Sequence, residues 1–345
     1  MTGRPIELHE AKWYGLGDDG RIHCRLCAHR CAIENGERGR CGVRIHRDGT
    51  LYTLVYGRLT AGHVDPIEKK PLFHFHPGSR SLSIAAPGCN MHCPWCQNGE
   101  ISQWRPPVDG EWGDAASPDE VVERAGQLDC RSISFTYTEP TVFLEYALDI
   151  ARRAHAERLA TVIVTNGYMT GEALEAVSPV LDAASVDLKV FSDPVHRRTT
   201  GARLRPVLDT LCRMKRLGLW VEVTTLIVPG VNDDPDPLRA LASFLAHEVG
   251  VETPWHVSRF FPAYRMTDVE PTPVKTILEA VEIGRKAGLQ YVYSGNLGRH
   301  EPTVCPECGE RVIRRTASKG VESSVTTSST CPACGEPIAG VGLAG

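Results

Sequence analysis

Of the thirteen cysteines in this chain of 345 residues, eleven fall into three groups. Cys89, Cys93 and Cys96 share one short stretch, PGCNMHCPWCQNGE. Cys24, Cys27, Cys31 and Cys41 follow the spacing C-x2-C-x3-C-x9-C, and Cys305, Cys308, Cys331 and Cys334 form the paired motifs CPECG and CPACG. Thiolates select soft metals, which leaves zinc, Cu(I) and iron–sulfur clusters as candidates. The paired C-terminal knuckles predict tetrahedral zinc. The N-terminal four, with His23 and His29 nearby, suffice for a zinc site or an auxiliary iron–sulfur cluster, and their spacing leaves both open. The group of three poses a different problem. Zinc would demand a fourth ligand, with His92 on offer, whereas a cubane cluster held by three cysteines leaves one iron open to a cofactor. Pro87, Gly88 and Asn90 suit a tight loop wrapped round a bulky cluster. Cys130 and Cys212 stand alone in apolar segments and read as small buried hydrophobes.

Residues with this chemistry need a scaffold, and from residue 81 onward the sequence supplies a regular one. β-Branched apolar runs (SLSIAAPG, SISFTYT, TVIVTNG, AASVDLKV, WVEVTTLIV, WHVSRFF and YVYSG) alternate with stretches of helical spacing. Those stretches are SPDEVVERAGQL, PTVFLEYALDIARRAHA, TGEALEAVSPV, PVLDTLCRMKRLG, DPLRALASFLAHEVG and TPVKTILEAVEIGRKAG. The alternation predicts an α/β fold with a parallel sheet, whose chemistry gathers at the carboxyl ends of the strands. Glu139, Thr165, Asn166, Asp187, Lys189, His256 and Asn296 are expected on that rim beside the Cys89 loop. Three regions follow: a Cys-rich extension over 1–80, the α/β unit over 81–300, and a zinc-ribbon-like tail over 301–345. Within the tail, SKGVESSVTTSST is the segment expected to be disordered.

Bulk properties exclude other classes. A formal net charge of -4 gives no global attraction to nucleic acid or anionic lipid. The basic residues of the tail, Arg311, Arg314, Arg315 and Lys319, are too few for a nucleic-acid face. The first twenty residues contain no apolar core of signal-peptide length, and no stretch approaches the roughly 18 apolar residues of a membrane span. A cytoplasmic protein without membrane or nucleic-acid partners is expected, and in that compartment clustered cysteines serve metals rather than disulfides.

The C-x3-C-x2-C loop, with aromatic Trp95 before its last cysteine and following the first strand, resembles the radical S-adenosylmethionine superfamily. TYTEPT, VTNG, VDLK and VPGVND resemble its glycyl-radical activating enzymes, such as pyruvate formate-lyase activating enzyme. CRLCAHRCAIENGERGRCGVR, DPIEKKPLFHFHPGS, HVSRFFPAYRM and VYSGNL are similar to the radical enzyme of the AmmeMemoRadiSam system, over about residues 20 to 300. The resemblance implies a partial (β/α)6 TIM-like barrel, a 4Fe-4S cluster on Cys89, Cys93 and Cys96, and S-adenosylmethionine on the open iron. It further implies an electron donor such as flavodoxin or ferredoxin, and partner proteins of the AmmeMemoRadiSam system. Cofactor contacts are expected from Trp95, Thr138, Glu139, Thr165, Asn166, Asp187, Lys189 and His256. Each has a plainer reading: Glu139 as an anchor behind the site, Asp187–Lys189 as a structural pair, His256 as a satisfied core histidine. Tyr137 and Thr138 stand where the family pattern has glycines, and Val164 stands where the activating enzymes can place a cation-holding aspartate. The expected activity is reductive cleavage of S-adenosylmethionine to methionine and a 5'-deoxyadenosyl radical that takes hydrogen from a substrate. The alternatives are a glycyl-radical enzyme activase and a non-catalytic iron–sulfur carrier or redox sensor.

Overall fold

The computed structural model describes residues 8–298, 301–316 and 320–344. All seven predicted runs become parallel strands: β2 (Arg80–Ala85), β3 (Ser132–Phe135), β4 (Ala160–Thr165), β5 (Ala183–Asp187), β6 (Trp220–Ile227), β7 (Trp255–Arg259) and β8 (Val292–Gly295). An eighth strand, β1 (Ala61–Pro66), lies antiparallel to β2, so the sheet begins upstream of residue 81. Strand order follows the sequence from β1 to β8 and the sheet does not close, which makes the barrel partial.

The helices cover the outer face: α1 (Pro118–Gln127), α2 (Leu144–Ala156), α3 (Gly171–Val177), α4 (Asp193–Thr200), α5 (Leu204–Arg216), α6 (Pro235–Phe244) and α7 (Val274–Lys286). Helix α1 opens with a capping box, in which Ser117 Oγ accepts from Glu120 N and the Glu120 carboxylate accepts from Ser117 N. The α4 sequence DPVHRRTT has no apolar period, and the helical reading of the sequence passed over it. Period-two alternation sorts the strands. Leu82, Ile84, Ile133, Phe135, Val186, Val223 and Val257 belong to the core shared with the helices. Ser83, Ser134, Ser185, Glu222, Thr224 and His256, all buried, occupy the alternate positions and face the lumen. A parallel sheet covered on both sides is ordinarily apolar on both. This one keeps a polar interior.

The amino ends of the strands are sealed by the segment after β1. Ile67, Leu72 and Phe75 pack with Val162 and Ala183. Glu222 accepts from Phe73 N (2.9 Å), His74 N (2.8 Å), Trp220 Nε1 (3.0 Å) and His256 Nε2 (2.7 Å). The tail backs this floor: Arg315 Nη2 donates to Phe73 O at 2.6 Å, and Val341 N donates to His74 O at 2.8 Å. The tail is a three-stranded sheet of Thr303–Val304, Arg311–Thr316 and Gly320–Ser323. The stretch expected to be disordered therefore contributes a strand, because Val321 and Glu322 pair with Arg315 and Arg314. Ser318 and Lys319 lie outside the described residues.

Candidate functional site

The cysteine loop leaves the carboxyl end of β2. Gly88 sits at φ +101°, and a Cβ there would meet Val43 Cγ1 at 2.7 Å and Cys41 O at 3.1 Å, so glycine is required. Met91 N donates to Cys89 Sγ at 3.3 Å, Asn166 Nδ2 approaches the same sulfur at 3.8 Å, and Ser102 Oγ lies 3.3 Å from Cys96 Sγ. Cys93 is buried, and Cys89 and Cys96 are partly buried. Burial pushes the Cys93 thiol up to about 11 and raises Cys89 further still. Thiols so placed become thiolates when a metal takes the proton's place. His92 does not complete a zinc site; its Nδ1 lies 2.9 Å from Gln103 Oε1.

Glu139 holds the loop's surroundings together. Its Oε1 accepts from Thr141 N (3.0 Å), Thr141 Oγ1 (2.5 Å) and Thr165 Oγ1 (2.7 Å), and its Oε2 accepts from Asn166 N (2.8 Å). Asn166 passes the constraint on, since its Nδ2 donates to Asn90 Oδ1 at 2.8 Å. Burial raises the Glu139 pKa, and these donors oppose that shift. Glu139 and the Thr165 hydroxyl are thus committed to protein partners, the anchoring role rather than direct contact. Thr138 Oγ1 donates to Ala86 O at 2.5 Å. Tyr137 takes the left-handed conformation, φ +63°, where the family pattern has glycine, and its hydroxyl donates to Asp65 Oδ2 at 2.5 Å. Trp95 is buried in the main core.

Asp187 and Lys189 form a pair, Nζ to Oδ2 3.0 Å. Burial alone would lower the ammonium's pKa; the Asp187 carboxylate, helped by Cys93, reverses the sign and raises it. The ammonium therefore stands charged beside the cysteine loop. His256 is the second residue of β7, donating to Glu222 and stacked on Tyr293 with centroids 5.3 Å apart. A buried carboxylate that also holds the backbone of Phe73 and His74 needs a donor, and His256 supplies it. Asn296 turns away from the site, its Nδ2 donating to Arg259 O at 3.0 Å.

The sequence reading missed Asn98, whose Nδ2 donates to Tyr137 O at 2.7 Å, and Asn232, whose Nδ2 donates to Lys189 O at 2.6 Å. It also missed Asp65 and buried Lys70, paired at 2.5 Å. All four were within reach, because Asn232 belongs to the VPGVND motif, Asn98 to PGCNMHCPWCQNGE, and Asp65 and Lys70 to DPIEKKPLFHFHPGS.

The remaining cysteines fall in two places. Cys305 Sγ lies 3.6 Å from Cys334 Sγ and Cys308 Sγ 3.7 Å from Cys331 Sγ, a set that can hold one tetrahedral ion. Cys24, Cys27, Cys31 and Cys41 line a single cavity. Cys130 is buried as expected, but Cys212 is only half-buried, its sulfur 3.8 Å from Glu248 O.

Comparison with known proteins agrees with this geometry. The family model of the Radical SAM superfamily matches residues 83–242. An uncharacterized protein of Methanocaldococcus jannaschii is 43% identical over 335 residues, covering 96% of this chain and 99% of that protein. The pyruvate formate-lyase-activating enzyme of Clostridium pasteurianum is 24% identical over 224 residues, 61% of this chain and 92% of that enzyme. Other curated relatives are matched over about half their own length, as with 57% of a 7-carboxy-7-deazaguanine synthase of Thermococcus kodakarensis. Among solved structures, a radical SAM methyltransferase from Sphaerobacter thermophilus shares the fold, with TM-score 0.50 and 17% identity over 64% of this chain and 67% of that one. The chain carries a radical SAM domain over residues 83–242 and is an enzyme. That domain implies a 4Fe-4S cluster and S-adenosylmethionine, and a loop of three thiols that, among the described residues, gathers no closed set of four ligands fits both. Among the described residues, no helix is long and apolar enough to cross a membrane.

Proposed function

We propose that Cys89, Cys93 and Cys96 ligate the cluster, and that the enzyme acts on a protein or small-molecule substrate within the AmmeMemoRadiSam system. The observation that carries this is the chain of bonds from Glu139 through Asn166 to Asn90 and Cys89, which fixes a three-thiol loop at the carboxyl end of β2. When bound, the cluster supplies one electron that cleaves S-adenosylmethionine to methionine and a 5'-deoxyadenosyl radical, which takes hydrogen from the substrate. Asp187 and Lys189 offer one anion and one cation for the amino and carboxylate groups of that cofactor. Asn166 and the backbone at Thr138 complete the rim, Trp95 excludes water, and Glu139 and Thr165 position them. Arg40, Arg105 and Arg265 line a pocket with Cys89, a setting that suits an acidic one-electron donor of the flavodoxin or ferredoxin kind. The C-terminal four cysteines are assigned to zinc, on sulfur spacings near the about 3.8 Å that tetrahedral zinc–sulfur bonds require.

The test is anaerobic reconstitution followed by dithionite and S-adenosylmethionine. The full chain should form 5'-deoxyadenosine; Cys93→Ala should form none while keeping its zinc. A fully loaded chain that makes no 5'-deoxyadenosine would overturn the reading. A second reading, activation of a glycyl-radical enzyme, draws support from the match to nearly the whole of the Clostridium pasteurianum activating enzyme. A glycyl-radical EPR signal in a partner enzyme after incubation with the loaded chain would favour it.

A further inference from the structure

We propose that Cys24, Cys27, Cys31 and Cys41 hold a second iron–sulfur cluster, ligated entirely by protein and adjoining the Cys89 loop. The chain carries its own contrast. Tetrahedral zinc, with bonds of about 2.3 Å, draws four sulfurs to about 3.8 Å of one another, and the C-terminal four are so drawn at 3.6 and 3.7 Å. Among the described residues no other group of three or more potential ligands closes in this way, although the N-terminal spacing supplies the same number of thiols. Those four instead stand further apart around one opening, walled also by Leu26, Ile33 and Val142. A cubane places each thiolate on a different iron and so spreads the sulfurs to roughly 6 Å. Sulfurs held apart in this way suit a cluster rather than a single ion.

The charge around the cavity points the same way. Arg44, fully buried, directs Nη1 to Cys24 Sγ at 3.8 Å and is held by Glu145, while its Nε has no hydrogen-bond partner. A buried guanidinium with a donor to spare calls for an anionic group in the cavity, and a thiolate-ligated cluster is one. The placement gives the site a neighbour. Cys41 lines both this cavity and the pocket containing Cys89. His29, between Cys27 and Cys31, has its Nε2 2.7 Å from Asn90 O of the Cys89 loop. The two metal sites share a wall of backbone.

The test uses the full chain purified anaerobically. The variant Cys89→Ala/Cys93→Ala/Cys96→Ala leaves the N-terminal group untouched. It should retain about four irons per chain and, after dithionite, give a reduced-cluster EPR signal that S-adenosylmethionine does not alter. Adding Cys27→Ala and Cys31→Ala should remove that iron. The wild type should carry about eight irons, with a spectrum broadened by two neighbouring paramagnets. A triple variant devoid of iron, or with zinc in its place, overturns the inference without touching the Cys89 assignment, which the Cys93→Ala assay decides separately. A retained signal that responds to S-adenosylmethionine overturns the claim of full protein ligation. If the triple variant does not fold, the wild-type count decides: about four irons overturns the inference.

Discussion

Glu139 serves the site from behind it. Its carboxylate is buried and receives four donors, two from Thr141 and one each from Thr165 and Asn166. Hydrogen bonds to a charged group contribute more than neutral ones, so Glu139→Gln should cost about 2–3 kcal/mol, read as a lowered guanidinium midpoint. Because Asn166 would lose its backbone tether, iron loading at the Cys89 loop should fall in the same variant. Tyr137→Phe makes a cleaner deletion. It removes the bond to Asp65 while keeping the ring under Lys70, whose Nζ lies 4.7 Å from the ring centroid, and should cost about 1–2 kcal/mol. The cysteines were legible because their spacing is local and their chemistry narrow. Glu222 was not: two of its donors, the backbone N–H groups of Phe73 and His74, lie 149 and 148 residues away, and no local pattern announces such a partner. The bond from His256 to Glu222 was hidden for the same reason.

At the scale of elements, periodicity did what periodicity can. All seven parallel strands follow β-branched runs, and α1, α5 and α7 end where Leu128, Gly218 and Gly288 follow, the two glycines at φ +82° and +94°. Strand β1 escaped because its sequence, AGHVDP, is half polar and ends in proline, as suits an edge. The tail's strand Gly320–Ser323 escaped because GVES is four residues long and has one β-branched residue, Val321, inside a Ser- and Thr-rich stretch. That tail has a small core of its own, Val312, Ile313, Val325, Ile338 and Leu343 with Cys305 and Cys331. So small a core gains stability from a metal bound by its four cysteines, as proposed above. Chelation, or Cys308→Ser, should therefore loosen the three strands while the barrel helices persist. Limited proteolysis would show new cleavage in the tail before any in the barrel.

The molecule as a whole is joined through His74. Its ring is buried between Ala339 O (2.6 Å) and Tyr293 Oη (2.6 Å), and burial lowers its pKa to about 4. The unfolded chain binds a proton on this imidazole below about pH 6.5 that the folded chain refuses until about pH 4. Stability is thus fully present above pH 6.5 and declines as pH falls through that window, by up to about 3 kcal/mol from this residue. Denaturant midpoints between pH 7 and 5 should show the decline, and His74→Asn should flatten it.

The floor of the lumen has one more property, which concerns time. Val341 pairs with His74 and His76 across some 265 residues of chain, so these bonds cannot form until nearly the entire sequence has left the ribosome. The strands and the cysteine loop are synthesised long before. A nascent chain accordingly passes through an interval in which the floor segment around Ile67, Leu72 and Phe75 has been made and the tail that backs it has not, so the floor's outer side is then bare.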